Sequence, residues 1–190
     1  KNKIAVNRFR NKGNIFIIAT GRSYEDFVGK KKQYNIKYDY VIIDHGAMIL
    51  DKDNNIIFES IMPNEILDDL KNDLYIEKAE RHFCCSLLES RVDFEHKNLT
   101  KVHVKYSDLE YSNEVQKKLE EKYGNILNIY YVSGNSIEIV SKKTNKSKAI
   151  KLLSEKLKIG QDEIFTIGDG YSDIEMIKDY KGYAMKESVE

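Results

Sequence analysis

Two short turns carry side chains that could act together on a phosphate group. Thr20-Gly21-Arg22 follows the apolar run Ile15–Ala19, and Gly168-Asp169-Gly170 follows the run Glu163–Ile167. The first run is apolar throughout, which is typical of a strand buried on both faces, as in a parallel sheet, and the second is also predicted to be a strand. Ligands bind beyond the carboxyl ends of such strands, where both turns would lie. The sequence therefore predicts a phosphate-handling site built from the two turns.

Each turn offers a different kind of chemical group. The Thr20 hydroxyl can donate a hydrogen bond to an anion, and Gly21 lets backbone N–H groups approach that anion closely. Asp169 and Asp173 are four residues apart across a turn into a helix. That spacing can aim two carboxylates at one hard cation such as Mg²⁺. Lys146 begins a helix, and its ammonium could neutralise phosphoryl oxygens.

Every one of these signals also has a plainer interpretation. Thr-Gly-Arg is common by chance, Gly-Asp-Gly can be an ordinary turn, and Asp173 can be a helix first-turn carboxylate. Lys146 is one of 31 Lys and Arg residues. A dinucleotide-binding loop is disfavoured, because Asp173 stands at the third glycine position of G-x-G-x-x-G and would repel a pyrophosphate. The order of the segments along the chain, more than any single residue, supports the phosphate site.

The segments that must position these residues alternate between strands and helices at both ends of the chain. Ser23 and Ser172 each begin a capping-box spacing ahead of a helix. Further helices are predicted at 2–12 and 146–157, strands at 40–43 and 182–185, and a hairpin around 51–55. We therefore predict an α/β protein with a Rossmann-like parallel-sheet core.

The middle of the chain differs in character. Strands are predicted at 81–88, 101–106, 126–132 and 137–140, with one helix among them. Val102 and Val104 alternate with polar residues, as in a half-buried antiparallel strand. The sequence thus predicts an inserted α+β cap domain at 60–141, which separates core segments 1–59 and 142–190.

The composition narrows the class of protein. Lys plus Arg and Asp plus Glu both number 31, so no charge excess suggests a nucleic-acid partner, and mean hydropathy is −0.56. No run approaches the roughly 20 apolar residues of a membrane span, and no signal peptide is visible. Cys84 and Cys85 are adjacent and lack zinc spacing, so we expect them on opposite faces of a strand. We expect a cytoplasmic protein with no membrane partner.

The order of these segments resembles the haloacid dehalogenase-like (HAD) superfamily, most closely its Cof-type sugar-phosphatase branch. IIATGRS resembles the second family motif, with Thr20 as its phosphate-binding residue. TNKSKAIKLL resembles the third, which places the motif lysine at Lys146. IGDGYSDIEMI resembles the fourth, with Asp169 as a magnesium ligand supported by Asp173. DHGAMILD and GYAMKES resemble two further segments of the branch.

The resemblance implies a magnesium-dependent phosphatase that hydrolyses small phosphomonoesters, such as sugar phosphates, through an aspartyl-phosphate. Thr20 and Lys146 would be catalytic, with Gly21 also at the phosphate. Arg22 and His45 are weaker candidates for substrate contact, and the cap would close over a small phosphorylated metabolite. Two alternatives stay open: a phosphomutase on the same fold, and an inactive regulatory module that binds phosphate or metal.

Three departures from the family pattern stand out. Ser172 and His45 each occupy a position where the family usually has Asn. The first motif, DxDGT, which carries the aspartate nucleophile and the aspartate acid–base, is absent. Asp51 and Asp53 lie in a predicted hairpin and are poor substitutes. We expect the two missing aspartates to lie in a segment outside these 190 residues, on a strand between the two turn-bearing strands.

Overall fold

The first part of the chain forms a four-stranded sheet in the computed structural model, which describes residues 2–186 and 188. Helix α1 spans Asn2–Asn11, β1 Ile17–Ala19, α2 Tyr24–Tyr34, β2 Tyr40–Ile43, β3 Met48–Asp51 and β4 Ile56–Glu59. β1 and β2 pair in parallel, and β3 and β4 extend the sheet antiparallel. The predicted helices and hairpin are confirmed. Ser23 precedes α2 as predicted, but its hydroxyl bonds Asp26 rather than a backbone N–H.

The middle of the chain forms a separate antiparallel sheet of five strands, which we call the inserted module together with its helices. Its elements are α3 (Leu67–Asp73), β5 (Arg81–Ser86), β6 (Glu89–Val92), β7 (Leu99–Lys105), α4 (Leu109–Tyr123), β8 (Leu127–Val132) and β9 (Ser136–Ser141). The strand order is β6-β5-β7-β9-β8. The sequence did not predict β6, because its polar run Glu-Ser-Arg resembles a loop. Leu87, just before β6, and Arg91, within it, have positive φ.

The α/β pattern then resumes at the end of the chain. Helix α5 spans Lys146–Leu157, β10 Phe165–Gly168, α6 Ile174–Asp179 and β11 Lys181–Ala184, and β10 and β11 pair in parallel. The predicted cap at Ser172 is wrong. A 3₁₀ turn over Tyr171–Asp173 precedes α6, and the Asp173 carboxylate, not Ser172, accepts the local N–H groups. Within the described ranges, none of the helices has the length and apolarity needed to cross a bilayer.

The sheet of the inserted module has two different faces. Cys84, Val102, Val104 and Ile139 pack with α3 and α4 in one apolar core. The opposite face carries Phe83, His103, Glu138 and Tyr130, one from each of four neighbouring strands and in register with each other. We call these four side chains the polar row. Cys85 also lies on this face and both thiols are free and buried, so the prediction for the cysteines is confirmed.

The core strands form two separate parallel pairs. Among the described residues, β1 pairs with β2 alone and β10 with β11 alone, so each has one unpaired edge. The side chains around β10 are apolar yet open to solvent: Phe165 is 61% exposed and Ile167 65%. Apolar exposure of this size in a strand marks a surface that another element can cover.

Candidate active site

The Thr-Gly-Arg turn begins where β1 ends. Its backbone is anchored on the neighbouring strand, because Thr20 N donates to Ile42 O at 2.8 Å. Within the turn, Arg22 N donates to Thr20 Oγ1 at 3.2 Å. This bond occupies a lone pair of the hydroxyl and leaves its hydrogen free to donate. Thr20 is partly exposed and the Arg22 side chain is exposed, so both can reach a ligand at this edge of the sheet.

A second turn, Asp44–Gly46, lies directly against the first. Its three residues all have positive φ, at 47°, 55° and 106°. For non-glycine residues such backbone costs on the order of 1–3 kcal/mol each and is found at functional sites. Two backbone bonds tie this segment to the Thr-Gly-Arg turn: Asp44 N to Arg22 O at 3.0 Å and His45 N to Thr20 O at 3.2 Å. The strained segment therefore holds His45 against the Thr-Gly-Arg turn.

The start of α5 carries a buried ion pair. Lys146 Nζ lies 2.6 Å from Asp173 Oδ1, and both side chains are almost fully buried. The other oxygen of Asp173 accepts the N–H groups of Asp169 and Gly170, each at 3.1 Å. Burial alone would raise the pKa of Asp173, but Lys146 and these N–H groups outweigh it and lower that pKa. Asp173 is therefore ionised and holds both the lysine and the Gly-Asp-Gly turn.

A series of contacts joins the two predicted turns. A β-carbon on Gly46 would lie 2.3 Å from Asn145 O, so the strained turn packs directly on the start of α5. Thr144 Oγ1 donates to Gly46 O at 2.6 Å and secures that contact. Asn145 Oδ1 accepts from Lys148 N at 2.7 Å and so caps the helix that begins with Lys146. His45 and its turn thus form the link between the Thr-Gly-Arg turn and the buried lysine.

The polar row of the inserted module contacts His45 of the core. Glu138 contacts the His45 Nε2, lies 3.1 Å from His103 Nδ1 and lies 3.3 Å from Lys101 Nζ. Burial would raise the pKa of Glu138, but Lys101 and the two imidazoles hold it well below its usual range. Burial lowers the pKa of His45, so its imidazole is neutral. A neutral His45 that donates from Nε2 to Glu138 presents Nδ1 as an acceptor.

Little in the sequence points to this group of side chains. The alternation around Val102 and Val104 places His103 on the other face of its strand, and neither Glu138 nor Lys101 stands out in the sequence. Within the part of the chain that the structure describes, three buried ring and hydroxyl atoms of this group have no hydrogen-bond partner: His45 Nδ1, His103 Nε2 and the Tyr130 hydroxyl. The ring centroids of His45 and Tyr130 are 4.8 Å apart. Buried polar atoms without partners are uncommon in proteins, and a bound water, an ion or a functional role usually accounts for them.

The carboxylates of the site differ in their suitability for a cation. The residues between 2 and 186, with 188, contain no group of three His, Cys, Asp or Glu side chains placed to hold a metal ion. Both oxygens of Asp173 are already engaged, whereas Asp169 is exposed at the end of β10. Mg²⁺ is commonly held by one or two carboxylates plus waters and substrate phosphate. Asp169 therefore fits as one ligand of such an ion, with Asp173 behind it.

Comparison with known proteins identifies the family. The family model of the haloacid dehalogenase-like hydrolases matches residues 1–90 and 86–190. A Buchnera aphidicola (subsp. Schizaphis graminum) protein named "Putative phosphatase" is 30% identical over 190 residues, which cover 87% of this chain and 69% of that protein. An uncharacterized Mycoplasma capricolum protein is 32% identical over 196 residues, 88% of this chain and 74% of its own.

Solved structures agree with the fold. A haloacid dehalogenase-like hydrolase from B. subtilis superposes with a TM-score of 0.84 at 18% identity, over 99% of this chain and 83% of that one. Another from Bacteroides thetaiotaomicron gives a TM-score of 0.80 at 19% identity, over 100% of this chain and 82% of that one. The family inferred from the three turn and helix segments is confirmed: the chain belongs to the haloacid dehalogenase-like hydrolases.

Proposed function

We propose that this protein is a magnesium-dependent phosphatase that hydrolyses small, hydroxyl-rich phosphomonoesters such as sugar phosphates. The observation that carries the proposal is the buried Lys146–Asp173 pair beside the exposed carboxylate of Asp169. A phosphate dianion needs positive charge at a fixed position, and a lysine held by a buried carboxylate supplies it.

The remaining groups act around that charge. The Thr20 oxygen accepts the Arg22 N–H with one lone pair, and the Thr20 hydroxyl hydrogen donates to a phosphoryl oxygen. Asp169 holds the magnesium ion, which when bound offsets negative charge on the transferring group. Thr20 and Lys146 then hold the phosphoryl group for in-line attack, in which the nucleophile approaches opposite the leaving oxygen.

The nucleophile is proposed to be an aspartate on a strand that inserts between β1 and β10. The unpaired edges of these two strands and the exposure of Phe165 and Ile167 support this placement. The carboxylate oxygen forms a bond to phosphorus as the bond to the leaving oxygen breaks, and a second aspartate protonates that oxygen. Water, deprotonated by the same second aspartate, then cleaves the aspartyl-phosphate and releases inorganic phosphate.

The proposed substrate class follows from the polar row. His45 Nδ1 is an acceptor once its other nitrogen donates to the ionised Glu138, and His103 Nε2 is a second buried ring nitrogen of the row without a partner among the described residues. Such ring nitrogens suit the hydroxyl groups of a leaving alcohol. Phe83, stacked on His103 with ring centroids 4.6 Å apart, adds a flat apolar surface.

Phosphate release by the protein encoded by the full gene, measured over a panel of sugar phosphates and other phosphomonoesters, tests the proposal. We expect turnover that requires Mg²⁺ and is lost with EDTA. Asp169→Asn should weaken Mg²⁺ activation, whereas Asp162→Asn, on an exposed 3₁₀ turn of the same domain, should leave it unchanged. Absence of turnover on the whole panel would contradict the proposal, and isomerised sugar phosphate without phosphate release would indicate a mutase.

A further inference from the structure

One lysine of the inserted module reaches into the core. Lys101, on β7, is only 2% exposed. Its Nζ donates to Gly21 O at 2.6 Å and lies 3.1 Å from Asp44 Oδ1 and 3.3 Å from Glu138 Oε1. The Gly21 carbonyl accepts a hydrogen bond from this ammonium, and the two carboxylates are ion-pair contacts. Gly21 and Asp44 belong to core turns, so Lys101 connects the module to both turns.

The charge of this lysine is kept despite its burial. Burial alone would lower the pKa of Lys101, but Asp44 and Glu138 outweigh it and raise that pKa. Asp44 is fully buried, and its second oxygen accepts from Thr100 Oγ1 at 3.0 Å. Buried ion pairs contribute little net stability compared with apolar packing of equal volume. A buried ammonium at this position therefore supplies geometry more than stability.

The bond to Gly21 O has a consequence for Thr20. The Gly21 carbonyl and the Arg22 N–H belong to one planar peptide group. When Lys101 fixes the carbonyl, it also fixes the direction of the Arg22 N–H, which donates to Thr20 Oγ1 at 3.2 Å. The hydroxyl that would contact phosphate is thus oriented through one rigid peptide plane.

We propose that Lys101 is a positioning residue for the phosphate-binding turn, which is ordered only when the inserted module lies against the core. The expected effect on phosphate affinity rests on the proposed phosphatase function, but the ordering of the turn is a separate property. The surface of the module then contributes to the phosphate site without touching phosphate, because it carries the ammonium that orients Thr20.

The test compares three variants of the protein encoded by the full gene. Lys101→Met removes the ammonium, and Lys101→Met/Asp44→Asn also removes the buried charge that it would leave uncompensated. Lys105→Met is the matched control, since Lys105 lies further along the same face of β7 and pairs at the surface with Glu80 at 2.8 Å. The measurements are stability to urea, amide exchange of residues 20–23 without ligand, and affinity for inorganic phosphate.

We expect Lys101→Met/Asp44→Asn to recover much of the stability lost in Lys101→Met. In this double variant the amide hydrogens of residues 20–23 should still exchange faster than those of the rest of the core. It should bind inorganic phosphate about tenfold more weakly than the wild type, equivalent to about 1.4 kcal/mol. Lys105→Met should match the wild type in all three measurements. Exchange and phosphate affinity at wild-type values in the double variant would overturn the proposal. Amide exchange is measured without substrate. If the wild-type protein hydrolyses no phosphoester, the phosphatase function is contradicted, but the exchange of residues 20–23 still decides whether Lys101 orders the turn.

Discussion

A β-carbon on Gly21 would lie 2.3 Å from Cε1 of His45. The Thr-Gly-Arg turn and the strained Asp44–Gly46 turn can therefore touch only because residue 21 lacks a side chain. The imidazole in turn cannot move freely, because Glu138 and the Tyr130 ring contact it from the inserted module.

We predict that Gly21→Ala destabilises the protein by about 1–3 kcal/mol, the usual cost of forcing atoms into a packed site. It should also weaken binding of inorganic phosphate. Urea unfolding measures the first effect and calorimetry the second. Gly29→Ala is the control: Gly29 lies within α2, and no atom lies within 4 Å of the place that an added methyl group would take. That change should stabilise the protein by up to about 1 kcal/mol.

The same contact can be tested in reverse. In a His45→Ala background the ring is gone, so Gly21→Ala should cost clearly less than in the wild type. The difference between the two costs is the coupling energy of the pair. Equal costs in both backgrounds would show that the methyl group is accommodated without meeting His45.

The Lys146–Asp173 pair leads to a catalytic prediction. Asp173→Asn keeps the shape of the side chain but removes the charge that holds Lys146 and weakens the bonds to the Asp169 and Gly170 N–H groups. We expect kcat/KM for phosphoester hydrolysis to fall by about 10²-fold, since misplacement of a catalytic group by about 1 Å costs that much. Glu175→Gln, exposed in the first turn of α6, should change it little. Wild-type kcat/KM in Asp173→Asn would contradict a positioning role.

Burial of neutral His45 predicts a pH dependence of stability. Its pKa is lowered in the folded state, with Glu138 opposing the shift and Lys101 and Lys146 adding to it. Below about pH 6.5 the unfolded chain gains a proton at this residue that the folded protein does not. The free energy of unfolding therefore decreases as the pH is lowered, by at most about 1.4 kcal/mol per pH unit. Above about pH 6.5 the contribution is constant.

Urea unfolding at several values between about pH 5 and 7.5 measures this slope. His45→Gln retains a donor for Glu138 but cannot titrate, so its stability should fall less steeply on acidification than that of the wild type. Parallel curves for the two proteins would show that His45 takes up its proton equally in the folded and unfolded states.

The two cysteines should be inert in the folded protein. Burial raises the pKa of Cys84 to about 12 and raises that of Cys85 as well. At about pH 8 the thiolate fraction of Cys84 is on the order of one in ten thousand, and the thiolate is the reactive form. Mass spectrometry should find neither thiol alkylated by iodoacetamide under native conditions and both alkylated in guanidinium chloride. Rapid native labelling would mean that β5 opens locally.

The local elements were readily predicted because their signals are local. Helix α5 begins at Lys146 as predicted, since Asn145 caps it, and it ends before Lys158 in a left-handed conformation. Lys146 and Asp173 were found as separate residues of two short segments. Their pairing across 27 residues was not predicted, because it depends on how α5 packs against the turn before α6.

The polar row was missed for a different reason. Alternation along β7 showed that His103 lies opposite Val102 and Val104, but a strand pattern says only which side chains share a face. It does not say whether water or another domain covers that face. Here the polar face is covered by the core, so His103 and Glu138 are buried or nearly so.

The two-faced sheet of the inserted module separates recognition from folding. The four side chains of the polar row come from four strands and none takes part in the apolar core beneath them. Each can therefore be exchanged singly or in combination without opening a cavity in that core. Under the proposed function, a library randomised at Phe83, His103 and Tyr130 would sample new substrate preferences while Glu138 keeps its contacts with His45 and Lys101.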